Sequence, residues 1–201
     1  MVQYIVMKTV IYLVRHGEVH NPEGIFYERL PGFHLSDLGV AQVHELGKFL
    51  SDKGVSAIYA SPLERTRQTA DIIASYQRGV AVTHDKRLLE VSSMIRGQKQ
   101  VDLALERWNF YKLKYTKLGG EKLSDIWKRI GSFFKETVRK HKGQAIVVVS
   151  HGDPIMISMV KHKGKRLSVH EIRGVEYVQT AKGFQFIFEE FTAVEVNTLN
   201  F

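Results

Sequence analysis

The 201-residue chain contains no cysteine. That absence excludes disulfides, thiolate metal sites and a cysteine nucleophile, and it is compatible with a cytoplasmic location. Long apolar runs are missing too, since none reaches the roughly 20 residues a membrane-spanning helix needs. Val2 to Val14 has the apolar character of a signal-peptide core. It lacks a basic segment before it and a small-residue cleavage site after it, so it reads as a strand. The pattern does not require Met1–Val6, which makes Met7 an alternative start. No internal repeat, low-complexity tract or linker interrupts the chain, and residues 1–201 are expected to form one domain.

The charge balance is basic, with 29 Lys and Arg against 21 Asp and Glu for a net charge of +8. Such a balance suits nucleic acid, an anionic membrane or small anionic substrates. The cations are spread along the chain. Their densest run, Lys161-His162-Lys163-Gly164-Lys165-Arg166, has no interleaved aromatics and reads as a solvated helix end. Neither nucleic acid nor membrane is therefore expected as a partner, and the small anion is the class left.

Three stretches share one design. Thr9-Val10-Ile11-Tyr12-Leu13-Val14 is an apolar, β-branched run that stops at Arg15-His16-Gly17-Glu18. Val55 to Ala60 leads into Ser61-Pro62-Leu63-Glu64-Arg65-Thr66, and Ala145 to Ser150 into His151-Gly152-Asp153-Pro154. Each run reads as a buried strand. Laid side by side and parallel, they bring Arg15, His16, Arg65 and His151 to the carboxyl edge of the sheet, where open α/β folds bind ligands. Guanidinium forks pair with phosphate oxygens, and a neutral imidazole can attack phosphorus when its other nitrogen donates to a fixed acceptor. Glu18, Asp85, Glu90 and Asp153 are the carboxylates available to protonate a leaving oxygen.

The remaining pattern alternates helices and strands, which predicts a three-layer α/β/α sandwich with a mostly parallel central sheet. Ser36-Asp37 caps a helix ending before Gly54, and a second helix starts near Pro62. Gly79–Thr83 reads as a short strand. Val101–Tyr115 reads as one amphipathic helix, and a long helix with a basic outer face runs from Leu123 to before Gly143. Asp153-Pro154 fits a cap followed by proline in the first turn. Val175–Thr180 and Phe184–Phe191 read as a hairpin around Lys182-Gly183.

Leu13–Glu18, Ser61–Ala70 and Val149–Asp153 together resemble the motifs of the histidine phosphatase superfamily, the phosphoglycerate mutase-like proteins. Leu35–Gln42 adds weaker similarity. The resemblance implies a phosphoglycerate mutase-like fold and a small phosphorylated metabolite as substrate, with no metal and no cofactor. His16 would become phosphohistidine. Arg15, Arg65 and His151 would hold the phosphoryl oxygens, with Gly152 beside them. Leu88-Leu89-Glu90 matches the segment of the proton donor, and Asn21 would be a further substrate contact. The chain lacks the longer insertion that resembles the mutases, so the phosphatase branch is favoured over a mutase or a non-catalytic phosphate-binding module. A zinc hydrolase reading of His16, Glu18 and His20 runs against the preceding strand and the displaced glutamate.

Overall fold

The computed structural model describes residues 7–105, 107–174 and 176–201. Among these, six strands form one sheet in the order β3 (Val82–His84), β2 (Val55–Ala60), β4 (Ala145–Ser150), β1 (Lys8–Arg15), β5 (Gly183–Glu189), β6 (Thr192–Thr198). Three parallel strands carry the motifs: β1 (Lys8–Arg15), β2 (Val55–Ala60) and β4 (Ala145–Ser150). Arg15 pairs with Ser150, and Ala60 with Val149. His16, Ser61 and His151 therefore leave the sheet at the same level. The shared level follows from register, because apolar runs buried on both faces can slip neither way without exposing a face.

The side-chain alternation separates two cores. Ile11, Leu13, Ile146 and Val148 face α5 (Leu123–Lys140) and α6 (Gly152–His162). Tyr12, Val14, Val147 and Val149 face α1 (Asp37–Leu50) and α2 (Glu64–Ser75). Ile11, Leu13, Val147 and Val149 have no exposed surface, and truncating any one to alanine is expected to cost about 2–5 kcal/mol, less for valine. The predicted three-layer sandwich is the observed one.

Several local expectations are corrected. The second helix does start near Pro62, at Glu64 with Leu63 as its cap. The short strand is β3, Val82–His84, starting three residues later than expected, and a 3₁₀ turn at Lys86–Leu88 follows it. The stretch predicted as one helix holds two short ones, α3 (Gln100–Leu105) and α4 (Leu113–Thr116); Glu106 lies outside the described residues. The hairpin is β5 (Gly183–Glu189) with β6 (Thr192–Thr198), turning at Glu190-Phe191, where Glu190 takes a φ of 53°. Residues 176–180 are not strand, because β5 pairs with β1 on one side and β6 on the other. Val175 and the Met1–Val6 segment lie outside the described residues. The basic run does end a helix, with Lys163, Lys165 and Arg166 exposed. His162 instead turns inward among Phe134, Phe186 and Phe188.

Candidate active site

His16 follows β1 with 1% of its surface exposed. Its Nδ1 lies 2.7 Å from the Gly17 carbonyl oxygen, and its Nε2 accepts from Arg65 Nε at 3.2 Å. A carbonyl only accepts, so Nδ1 carries the proton and Nε2 presents a lone pair. Burial first, then the charges of Arg65 and Arg15, holds the His16 pKa well below its usual 6.5. The ring is neutral at pH 7.

The turn holding this ring is packed tightly from below. A methyl group on Gly39 would collide with the Glu18 backbone, and one on Gly17 with the Gly39 carbonyl. Those contacts explain why the first turn of α1 carries a glycine. Ser36 Oγ caps α1 by accepting from Gly39 N at 3.0 Å and donates to Glu18 Oε1 at 2.9 Å. Glu18 is thereby a loop brace rather than a proton donor to the site.

Arg65, 1% exposed, lies at the start of α2. Its Nη2 donates to the Glu28 carbonyl at 2.7 Å and approaches His151 Nδ1 at 3.2 Å. Its guanidinium stacks over Tyr27, 4.8 Å from the ring centre. Glu28 adopts a φ of 42°, a left-handed conformation costly for a side-chain-bearing residue, and turns its carbonyl toward Arg65. His151 is fully buried, with Nε2 2.8 Å from Ser61 Oγ. Burial, with Arg65 and His16 next, holds its pKa well below 6.5. Arg15 donates through Nη1 to Val178 O at 2.9 Å, while its buried Nε has no partner. A buried guanidinium N–H without a partner favours an acceptor, above all an anionic one. The four residues expected at the strand ends therefore do converge.

Glu90 also reaches this group. Burial of its carboxyl, and secondly the charge of Asp153, pushes its pKa up to about 7. One oxygen, Oε1, accepts from Val91 N at 2.9 Å. Asp85 is instead spent on Arg87, at 2.6 Å. Asn21 closes its own loop, donating to Ile25 O and accepting from Ile25 N. It also lines a cavity of about 500 Å³ beside Arg15, with His20, Tyr27, Gln100 and Thr180. His20 stacks on His34.

Asp153 corrects the expectation of a helix cap. His151 is the cap residue of α6, and the Asp153 side chain turns inward, 2% exposed. Its Oδ1 accepts from Arg173 Nη1 and from Tyr177 Oη, both at 2.6 Å, and its Oδ2 accepts from Tyr111 Oη and from Arg173 Nη2. Burial acts to raise its pKa, yet Arg173 and the two phenols hold it below the usual range. Gly152 beside it has no room for a Cβ, because Tyr177 Oη occupies that space. Sequence reasoning missed Tyr111, Tyr177, Arg173 and the Ser61 hydroxyl. Only Ser61 had a local signal, lying in the second motif next to a strand end.

The sequence profile described as histidine phosphatase superfamily, branch 1, matches residues 11–181. The chain belongs to this superfamily. It is 37% identical over 166 residues to an uncharacterized protein of Mycobacterium tuberculosis, covering 80% of this chain and 81% of that one. It is 33% identical to phosphoserine phosphatase 1 of Hydrogenobacter thermophilus, covering 72% of each. Among solved structures, YhfR of Bacillus stearothermophilus superposes with a TM-score of 0.76 at 24% identity, over 92% of this chain and 94% of that one. Fold and superfamily thus agree with the expectation drawn from the three motifs.

Proposed function

We propose that residues 1–201 form a single phosphatase domain, a phosphomonoester hydrolase acting on a small phosphorylated metabolite through a phosphohistidine. The observation that carries this reading is the state of His16: neutral, with Nδ1–H tied to Gly17 and the Nε2 lone pair held toward Arg65 and His151. Phosphatase over mutase is supported by the missing insertion and by the phosphoserine phosphatase among the relatives.

In the first step His16 Nε2 attacks phosphorus. The bond to the leaving oxygen breaks as Glu90 protonates that oxygen, and the alcohol departs. Arg65 Nε passes from the imidazole to a phosphoryl oxygen, and the free Arg15 Nε takes another. Both charges match the transition state better than the ground state. The phosphoryl dianion favours a second proton on His151, whose Nδ1 then donates. Gly152 lets the first turn of α6 approach closely. In the second step the Glu90 carboxylate takes a proton from water, which displaces phosphate from Nε2 and restores the acid. The alcohol portion fits the cavity beside Arg15, where Asn21 lies.

Brief incubation with substrate should label the wild type with an acid-labile, base-stable phosphoryl group and leave His16→Ala unlabelled. Labelling of the alanine variant at the wild-type level would refute the nucleophile. Turnover should persist in excess chelator, since Arg15 and Arg65, joined by His151 once it takes its second proton, supply the charge that a metal supplies elsewhere. Loss of turnover restored by one particular divalent ion would overturn the metal-free mechanism.

A further inference from the structure

Glu90 follows the 3₁₀ turn on a stretch without helix or strand structure. Three charged side chains from distant parts of the chain hold that stretch. Arg29, from the loop before α1, donates through Nε to the Glu90 carbonyl at 2.8 Å. Arg129, on α5, donates to the same oxygen at 3.2 Å and to the Arg87 carbonyl at 2.6 Å. Glu121, just before α5, joins them: Oε1 accepts from Arg129 Nε at 2.8 Å, and Oε2 accepts from Arg29 Nη2 and Ser92 N, each at 2.8 Å. Glu121 N also donates to Ser92 O at 2.7 Å. Arg87 O, Glu90 O and both backbone polar groups of Ser92 are thus pinned by one ionic unit.

We infer that Glu121, with Arg29 and Arg129, is a positioning unit that aims the Glu90 carboxyl and sets its readiness to give up a proton. The inference rests on the reading of Glu90 as the acid. Surface ion pairs contribute little, but these side chains are three-quarters buried or nearly so and bond backbone atoms on either side of the acid. A displacement near 1 Å at a reacting group costs about a hundredfold in rate. The unit also acts through charge. Glu90 faces Asp153 from α6, Arg65 from α2, Arg15 from β1 and the phenol of Tyr177. Arg29 and Arg129 add two positive charges behind it, and Glu121 cancels one. Without Glu121 the Glu90 carboxylate is favoured and its pKa falls; without Arg29 it rises.

Single-turnover phosphorylation of the enzyme by an alkyl phosphate and by nitrophenyl phosphate, across pH, tests this. Glu121→Gln should slow the alkyl reaction about tenfold and the nitrophenyl reaction no more than about twofold, since an acidic phenol leaves without a proton. The alkaline limb of the alkyl profile should move to lower pH in Glu121→Gln and to higher pH in Arg29→Gln. Opposite displacements are not expected of two substitutions that merely loosen a loop. In a Glu90→Gln background, Glu121→Gln should add nothing. If Glu121→Gln fails to fold, Arg29→Gln carries the test by the same two readouts. Equal losses on both substrates with unmoved limbs would overturn the inference while leaving Glu90 as acid. A Glu90→Gln enzyme that does not distinguish the two leaving groups would overturn the acid reading itself, and the inference with it.

Discussion

Two carboxyl groups, Glu90 and Asp153, interact beside the arginine–histidine cluster, and their surroundings drive their pKa values apart. Glu90 accepts one backbone N–H through Oε1 and is pushed up to about 7 by burial and by its neighbour. Asp153 is at least as buried, yet Arg173, Tyr111 and Tyr177 donate to both its oxygens and hold it ionised. Burial alone would raise both, so the donors decide which one keeps a proton. A pair of acids separated in this way can divide its work, one moving a proton and the other holding structure.

The largest expected effect comes from collapsing the difference at Glu90. Glu90→Gln should slow phosphorylation by an alkyl phosphate on the order of 10²–10⁴-fold and by nitrophenyl phosphate far less. Stability should move the other way. A carboxyl whose folded pKa is raised contributes stability below its unfolded value of 4.5, and that contribution is lost as pH rises through about 7. Glu90→Gln should therefore melt higher than wild type above pH 7, and equal melting temperatures there would show that the acid is not strained.

Next in size is Arg65→Ala, which removes the cation nearest both histidines. Turnover should fall about a hundredfold or more with a smaller change in KM. A loss within a few-fold would place Arg65 outside the transition state. Asp153→Asn strands Arg173 in a buried site and should cost on the order of 3–5 kcal/mol in denaturant unfolding. It should also move the alkaline limb of the alkyl reaction to lower pH, because the charge that raises Glu90 is gone. An unmoved limb would mean that the two acids are not coupled. In wild type the sign for Asp153 is the reverse of that for Glu90. Its contribution is present above its unfolded pKa and is lost as pH falls through its depressed folded value.

The smallest effect is Tyr177→Phe, which leaves Asp153 with Arg173 and Tyr111 and should cost about 1 kcal/mol in unfolding. A loss several times larger would make the phenol, rather than the arginine, the chief support of the carboxylate.

The same contrast governs what could be read in advance. Arg15, His16, Arg65 and His151 each follow or lie near an apolar run whose end is visible in the chain, and parallel register carries those ends to one level. Glu90 is one of four candidate carboxylates in the chain, and only the resemblance of Leu88-Leu89-Glu90 singles it out. Asp153 was misread as a cap because Asp-Pro at a helix start is a sound local signal, and nothing local announces that Arg173 lies 20 residues onward with its guanidinium 2.6 Å away. Asn21 keeps its place at the cavity but spends its amide on Ile25.

By itself, then, the sequence determined the sandwich, the strand ends and the cationic pocket, because periodicity, β-branched runs and glycine-bounded turns are local properties. Tertiary structure decided the tautomer of His16, the opposite pKa shifts of Glu90 and Asp153, and the union of Arg29, Glu121 and Arg129 around one carbonyl. Those outcomes depend on burial and on which donors arrive from elsewhere in the chain. A guanidinium 61 residues away from a carbonyl leaves no periodic trace, and its energy exists only once folding removes water from between them.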